Sequence, residues 1–269
     1  MGRFDFKTRS GQISAIIQTQ SGTSTDADAQ AFYDRVSAAG GTLTTTEKDA
    51  VNILVLSLKS ANVWTLMKAI YPMVGASAAA CSQNLKSSSF TGTFTSGWTF
   101  SANGVTPNGT NAFMDTAVIP NVDLLQNSLH ISVYIRGTNS GNQYYIGGRG
   151  TNTLSNIYIL NYGFAAVNNG DASATSVTGQ VGLFTNIRNS ATTILQYKNS
   201  TLLSTITAAS STLGNKKIYL SAFNSDGVAS NFSNNQNAFA SIGEGLNTTQ
   251  QLDFYNSVQT FQSVLSRNL

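Results

Sequence analysis

The chain has 269 residues, of which 41% are hydrophobic, so it can bury a sizeable core in one large domain or in one domain plus a small one. Only 10% of the residues are charged, against about 25% in an average domain, and the net charge of +3 comes from scattered lysines and arginines. We expect no nucleic-acid partner, because such proteins carry a basic patch or stripe. Cys81 is the one cysteine, which excludes an intrachain disulfide. No apolar stretch approaches the ~18 residues that a membrane span requires.

Residues 1–25 predict an extended attachment arm. They are rich in glycine, serine, threonine and glutamine and hold one short apolar run at 13–17. Arms of this kind become ordered against a partner. The alternative, of equal weight, is that the run adds an edge strand to the chain's own fold. The start of the sequence lacks the apolar core of a signal peptide, so we expect a protein made and assembled inside a cell.

Residues 26–76 predict a small helical region that serves as connector and attachment unit. Apolar residues first recur at helical spacing up to a glycine pair, and a capping-box layout at 44–47 then opens a second helix. A third helix starts near Asn62 and ends before Pro72, because the residue before a proline disfavours the α region. Three short helices make a small unit, so we expect it to pack on the rest of the chain or on another subunit. The small residues at 75–80 read as a linker.

Residues 77–269 predict a mainly β domain, an antiparallel sandwich closed by a C-terminal helix. The clearest strand, 129–136, alternates apolar with polar residues, so one face should be buried and the other, with His130, half-exposed. Tight turns rich in Asn, Gly and Asp separate the runs. Short strands with such turns, and no helix-length run between them, favour an antiparallel sandwich or barrel. Similar apolar runs lie at 157–164, 181–187, 194–198 and 218–223.

The predicted C-terminal helix begins at a second capping-box layout, formed by Thr248 and Gln251. The residues from Leu252 to Leu265 then place an apolar face on one side of this helix. We therefore expect the helix to lie across the sandwich.

The residue types that usually carry catalysis are few and isolated. Glu47 and Glu244 are the only glutamates; a helix cap explains the first, and the second lies in a Gly-Glu-Gly turn. His130 is the only histidine, and neither a nucleophile elbow nor enough metal ligands accompany it. A glycosidase needs two carboxylates that flank the bond, and no such pair stands out. Taken together, these residues predict no enzyme, no cofactor and no metal site. The aspartates of the β region stand alone at turns or strand ends: Asp115, Asp123, Asp171 and Asp226.

Aromatic residues of the β region are the candidates for a binding site. Sugars are bound by stacking on rings and by hydrogen bonds from amide and guanidinium groups. Trp98, Tyr144, Tyr145 and Arg149 are therefore the glycan-binding candidates. The alternative, favoured for any single ring, is that it fills the core or pairs across strands.

Four segments carry a family resemblance. The segment 98–116 (WTFSANGVTPNGTNAFMDT) resembles the opening strands of concanavalin A-like, or laminin-G-like, jelly rolls. The segment 195–202 (LQYKNSTL) resembles their strand of the form Tyr-x-Asn-Gly, and 239–252 with the helix after it resembles their closing segment. Together with 69–75 (AIYPMVG), the arrangement resembles structural or fibre proteins of tailed bacteriophages, over most of the chain from Asp26 onward.

The resemblance implies a lectin-like domain that is displayed on a phage particle and contacts host-surface glycans. The N-terminal region would attach it to other virion proteins. Ligand residues vary within this family, so none transfers by position. The sequence thus predicts a non-enzymatic virion surface protein, made in the host cytoplasm, for which a homo-oligomer is one open arrangement. The alternatives are a purely structural cement or decoration protein without ligand and, less favoured, a carbohydrate depolymerase.

Overall fold

The computed structural model describes residues 24–138, 143–151, 156–160, 165–169 and 181–269. Its helices are α1 (Ala27–Ala38), α2 (Thr45–Ser60), α3 (Ala78–Cys81), α4 (Pro120–Asp123) and α5 (Thr248–Val264), with a 3-10 turn at Trp64–Leu66. Its strands are β1 (Met67–Tyr71), β2 (Thr93–Phe94), β3 (Trp98–Ser101), β4 (Gly104–Pro107), β5 (Met114–Asp115), β6 (Leu129–Ile135), β7 (Tyr144–Arg149), β8 (Asn156–Leu160), β9 (Ala165–Asn169), β10 (Gly182–Arg188), β11 (Thr193–Lys198), β12 (Thr201–Thr207), β13 (Tyr219–Leu220), β14 (Phe223–Ser225), β15 (Val228–Ser230) and β16 (Asn237–Gly243).

The strands form two sheets that pack face to face. Sheet A runs in the order β12-β11-β10-β6-β16-β4-β3, with β1 paired to β16. Sheet B runs β15-β14-β7-β13-β5-β2, and β8 and β9 extend it beyond β7. Among the described pairs, only β14 and β7 run parallel. The predicted fold class, a mainly β antiparallel jelly-roll sandwich with a small N-terminal helical region and a C-terminal helix, is confirmed.

The core between the sheets is built from alternate residues of the strands. Ile131 and Val133 of β6 meet Ile146 and Ile157 of sheet B in this layer, and all four side chains have no exposed surface. Burying such aliphatic side chains contributes about 1.5–3 kcal/mol each before the entropy of ordering the chain is subtracted. The intersheet core therefore fixes the register of both sheets, because a slip by one residue would turn every apolar side chain to the wrong face.

A helical layer covers the opposite face of sheet A. Helices α2 and α5 pack on each other, and Phe254 and Phe261 of α5 lie against Phe239 of β16. This layer explains why β6 is buried along its whole length. The prediction that His130 is half-exposed was wrong: His130 has no exposed surface, and its ring centroid lies 5.8 Å from that of Phe254. The alternation of a strand identifies two faces but does not show that a helix covers the polar one.

Both predicted capping boxes mark the start of a helix, and one of them is displaced. The capping box of Thr44 and Glu47 is confirmed, since each side chain bonds the backbone N–H of the other residue. At α5 the box is formed one residue upstream of the prediction, by Asn247 and Gln250. Asparagine caps a helix as well as threonine does, so the sequence could not show whether the box starts at Asn247 or at Thr248.

The predicted third helix, from Asn62 to Pro72, was wrong. Only the 3-10 turn at Trp64–Leu66 is helical, and β1 then pairs with β16. Met67 and Ile70 face the helical layer while Ala69 and Tyr71 face the intersheet core. A strand that is apolar on both faces has no period of two, and its apolar residues match helical spacing by chance. Residues 26–76 thus supply a strand to sheet A in addition to two helices.

The other predicted segments fit to different degrees. The runs 181–187 and 194–198 correspond to β10 and β11, and 157–164 corresponds at its start to β8, its last four residues lying outside the described part. The run 218–223 is divided into β13 and β14 at Ser221, whose φ is +65°. Residues 75–80, predicted as a linker, instead lead into α3, which begins at Ala78 with Ser77 as its N-cap. Nearly all of the arm 1–25, and Asp171, lie outside the described residues.

Arg267 holds the end of the chain to the sandwich. Its guanidinium has no exposed surface and donates to Gln262 Oε1 at 2.9 Å, Met73 O at 2.8 Å, Pro72 O at 3.1 Å and Ala238 O at 3.0 Å. Burial lowers the pKa of this group to about 10. One side chain therefore connects the residues after α5, the strand β16 and the turn after β1 through carbonyl acceptors.

Candidate functional site

The face of sheet B that points away from sheet A carries a row of paired residues. Asp115 of β5 opposes Tyr219 of β13, Tyr219 opposes Gly147 of β7, and Gly147 opposes Tyr158 of β8. Their neighbours along the strands, such as Leu220, point into the intersheet core. Since side chains of a strand alternate between faces, the row lies on the outer face of sheet B.

Three rings lie together at the surface here: two are stacked, and the third contacts one of them. The centroids of Phe113 and Tyr219 are 4.4 Å apart with nearly parallel rings, and Phe232 lies 6.4 Å from Phe113. All three are half-buried, and none belongs to the apolar clusters of the protein interior. We call Phe113, Tyr219 and Phe232 the aromatic platform. Rings that contact each other rather than the core leave an apolar surface that a ligand can cover.

A single ion pair borders the aromatic platform. Lys217 Nζ lies 2.8 Å from Asp115 Oδ2, and the other carboxylate oxygen of Asp115 accepts the Ala117 N–H at 2.8 Å. The hydrogen bond to Asp115 raises the pKa of Lys217. Burial, and secondly the charge of Asp115, raise the pKa of Tyr219. Asp115 and Lys217 therefore both lie close enough to Tyr219 for their charges to affect its pKa.

Amide side chains lie at one end of the aromatic platform. Asn108 Oδ1 accepts the N–H groups of Thr110 and Asn111, which forms a tight turn just before Phe113. The turn touches Asn234, two residues after Phe232: a Cβ at Gly109 would lie 2.9 Å from Asn234 Cβ. Asn111 and Asn234 are exposed. Amides beside half-buried rings can supply both donors and acceptors for the hydroxyl groups of a sugar.

A second aromatic group lies on the same outer face around Phe223. Tyr144 lies 4.6 Å from Phe223 and 5.0 Å from Tyr158 between ring centroids. The Arg149 guanidinium is 5.9 Å from the Phe223 ring and donates to Ser225 Oγ at 3.0 Å. Phe223 and Tyr158 are buried here, while Tyr144 and Arg149 are half-buried. This group is therefore more enclosed than the aromatic platform.

An open pocket of about 270 Å³ lies where β7 ends. Gly150 permits its shape, because a Cβ there would lie 2.6 Å from Asn215 Oδ1. Asp226 is close by, 3.5 Å from Lys216 Nζ and 3.4 Å from Thr151 Oγ1. The pocket is lined by Asn121, Gly150, Thr151, Leu213, Gly214 and Asn215.

The structure separates the four residues that the sequence singled out. Tyr144 and Arg149 come together on Phe223. Tyr145 leaves the candidate set, because it lies in the intersheet core with no exposed surface. Trp98 is half-buried on the edge strand β3 of sheet A, with its ring against Phe94 at 5.0 Å. No ligand contact of Trp98, Tyr144 or Arg149 is tested by this geometry, and their binding roles stay predictions.

The sequence reasoning missed the aromatic platform. Tyr219 stands between Ile218 and Leu220, so the alternation of that run could have placed its ring outward. Phe113 stands next to Met114 in the same way. Phe232 carried no signal, since it follows β15 in an irregular segment and reaches the platform through tertiary contact.

Three carboxylates that the sequence analysis considered have structural partners. Asp115 pairs with Lys217, Asp123 accepts the Ile119 N–H at 2.7 Å, and Glu47 serves in the cap of α2. In the part of the chain that the structure describes, no group of three His, Cys, Asp or Glu side chains could hold a metal ion. Over the same residues, no helix is both long and apolar enough to cross a membrane.

The histidine and the cysteine are enclosed. His130 Nδ1 lies 2.6 Å from the Glu244 carbonyl, which can only accept, so this nitrogen carries the proton. His130 Nε2 then accepts from Ser241 Oγ at 3.1 Å, and Ser241 in turn accepts from Ser132. Burial lowers the pKa of His130 to about 4 and raises the pKa of Cys81 to about 12. Neither group reaches a ligand at the surface.

No protein-family model matches the sequence, and no curated protein matches it. Solved structures do. Domain 4 of an extracellular arabinanase from Geobacillus stearothermophilus, in complex with arabinotriose, is 14% identical over 70% of this chain and 98% of that chain, with a TM-score of 0.49. A botulinum neurotoxin type C structure, from work on its interaction with two ganglioside molecules, is 15% identical over 74% of this chain and 53% of that chain, with a TM-score of 0.46. A sialidase module from Ruminococcus gnavus, bound to sialyllactose, is 13% identical over 51% of this chain and 91% of that chain, with a TM-score of 0.37. Because these likenesses are weak in identity and in TM-score, the proposals below rest on the residues of this chain.

Proposed function

We propose that this chain is a non-enzymatic surface protein of a tailed-bacteriophage particle, and that its lectin-like sandwich binds host-surface glycan on the outer face of sheet B. The aromatic platform carries this proposal. A sugar ring presents an apolar C–H face and a rim of hydroxyl groups. Tyr219 and Phe113 offer a stacking surface for the first, and Asn111 and Asn234 offer hydrogen bonds for the second.

The partners of the acids support the proposal that the chain binds glycan without catalysis. A glycosidase of the common kind needs one carboxyl group held neutral and a second one across the scissile bond. Around sheet B, Asp115 forms an ion pair with Lys217, and Asp226 lies beside Lys216. Neither is arranged as one half of an opposed pair of acids.

Display on a particle is supported by composition and by the family resemblance. The low charge suits a surface that works in a large assembly, and the resemblance to phage fibre proteins assigns attachment to the N-terminal region. In that region, α1 and α2 pack within the helical layer over sheet A, on the side opposite the aromatic platform. Attachment through residues 1–76 would therefore leave the platform facing away from the particle.

A glycan array probed with the full chain tests the binding function. We expect binding to a restricted set of glycans and no new reducing ends when the protein is incubated with host polysaccharide. An intact fold that binds no glycan would favour the structural cement protein, and cleavage of the polysaccharide would favour the depolymerase. Display is tested separately by immunogold electron microscopy of purified particles with an antibody against this chain; labelling of the particle surface is expected, and unlabelled particles would contradict it.

A further inference from the structure

We infer that Asp115 sets the charge selectivity of the aromatic platform: the Lys217–Asp115 pair makes the platform accept uncharged sugar rings and disfavour sugars that carry a carboxylate. This inference rests on the proposed glycan binding. It goes further, because it names the ligand class and the residue that determines it.

The geometry places this ion pair beside the stacking surface. Asp115 opposes Tyr219 directly across two paired strands, and Lys217 precedes Tyr219 by two residues on the same face. Lys217 Nζ and Asp115 Oδ2 are 2.8 Å apart. The lysine side chain is 46% exposed and the aspartate 21%. A ligand on the Tyr219 ring therefore meets a lysine whose charge is already compensated and a carboxylate that repels a second one.

Two other cations near this part of sheet B, Arg149 and Lys216, have partners of their own. Arg149 is stacked on Phe223 and opposes Ser225, two residues along the strand from the Gly147 that opposes Tyr219. Lys216 has its own acidic partner in Asp226. Lys217 is thus the cation of the aromatic platform, and its free or compensated state decides which sugars the platform favours.

The chain offers a clean pair of variants and a control. Asp115→Asn keeps an oxygen that can accept the Ala117 N–H, so the local turn is retained while Lys217 loses its partner. Lys217→Gln does the reverse and leaves Asp115 uncompensated. Asp28→Asn is the matched control, because it makes the same carboxylate-to-amide change in an ion pair with Lys59 on the helical region, where Nζ and Oδ2 are 2.6 Å apart.

The experiment compares sugars that differ only at C6: glucose with glucuronate, and galactose with galacturonate, each as a multivalent conjugate. The full-length protein and its variants are titrated with all four, and the ratio of acidic to neutral affinity is measured. Exposed ion pairs shift an equilibrium constant by about 1.4- to 5-fold each, so loss of one repulsion and gain of one attraction should raise the ratio in Asp115→Asn by about 2- to 30-fold. In about 0.5 M salt this change should largely disappear, since screening weakens exposed charge pairs.

The expected pattern has opposite signs in the two variants. Wild type and Asp28→Asn prefer the neutral sugars, Asp115→Asn shifts toward the acidic ones, and Lys217→Gln shifts further away from them. An unchanged ratio in both platform variants, or a wild-type preference for the acidic sugar, would overturn the inference while leaving glycan binding intact. Absence of binding to all four conjugates and to every glycan on the array would instead overturn the proposed function, and the inference with it. If Asp115→Asn does not fold, the Lys217→Gln shift alone decides the outcome.

Discussion

Replacement of Arg267 by methionine should destabilise the protein strongly, although the residue lies beyond α5. The buried guanidinium donates to carbonyl oxygens of Met73, Pro72 and Ala238 and to the amide oxygen of Gln262. Methionine fills part of the same volume but has no donor. Ala238 O keeps its hydrogen bond from Gln262 Nε2, while Met73 O, Pro72 O and Gln262 Oε1 lose the donor that Arg267 supplies. A buried acceptor left without a donor costs about 1–3 kcal/mol, and removal of the buried charge recovers several kcal/mol. We therefore expect the free energy of unfolding to fall by about 3–5 kcal/mol.

Equilibrium unfolding in urea, followed by circular dichroism and by tryptophan fluorescence, measures this loss. Arg149→Met is the matched control, because it removes a half-buried guanidinium that has a hydrogen bond to Ser225, and its cost should be about 1 kcal/mol or less. Arg267→Lys should lose most of the stabilisation too, since one ammonium cannot reach acceptors on three segments. A loss of less than about 1 kcal/mol in Arg267→Met would refute the view that this side chain holds the chain end to the sheet.

Three further predictions concern the interior. Burial lowers the pKa of His130 from 6.5 to about 4, so as pH falls the unfolded chain takes up the proton before the folded protein does. The free energy of unfolding should therefore fall by about 3 kcal/mol between pH 6.5 and pH 4, with no further contribution from His130 above pH 6.5. Urea unfolding of wild type and His130→Gln across this range should show the difference, and equal pH dependence in the two would contradict it. Cys81 is buried with its pKa raised to about 12, so a thiol reagent at pH 8 should label it only as the protein opens; immediate full labelling of the native protein would contradict this. Gly104→Ala should cost more than about 2 kcal/mol in urea unfolding, because φ is +117° and the new Cβ would lie 2.2 Å from Asn237 O. Gly40→Ala, at φ +80° with open space around the new Cβ, should cost about 1 kcal/mol, and equal losses at the two sites would show that the close approach is unimportant.

Patterns with a local physical cause could be read from the sequence. The capping box of Thr44 and Glu47 involves only its own backbone, so it forms wherever the helix forms. The alternation in β6, β10 and β11 reflects the pleat of a strand, and the predicted runs match the strands closely. The isolated acids around the sheets, such as Asp123, serve in turns and caps, as their positions indicated.

Features that depend on a third layer could not be read in this way. A strand covered on both faces, such as β1, loses the alternation that identifies it, and the polar face of β6 gives no sign that α5 lies over it. The binding surface depends on tertiary contact to an even greater degree. Phe113 and Tyr219 are far apart in sequence, and Phe232 joins them from an irregular segment. Regular alternation from Ile146 would turn Tyr145 away from the core, but the β-bulge between Tyr144 and Ile146 leaves Tyr145 and Ile146 both in the intersheet core.

Glycan affinity of Tyr219→Ala, measured by calorimetry with a glycan that the array identifies, tests the central claim most directly. Removal of the Tyr219 ring, which stacks on Phe113, should weaken binding by about fivefold or more, because stacked rings contribute about 0.5–1.5 kcal/mol beyond their buried area. Phe232→Ala should act in the same direction, and Tyr255→Ala, a half-buried tyrosine of the helical layer, should leave affinity unchanged. Circular dichroism confirms that each variant is folded. Wild-type affinity in folded Tyr219→Ala and Phe232→Ala would show that the outer face of sheet B is not where this protein binds glycan.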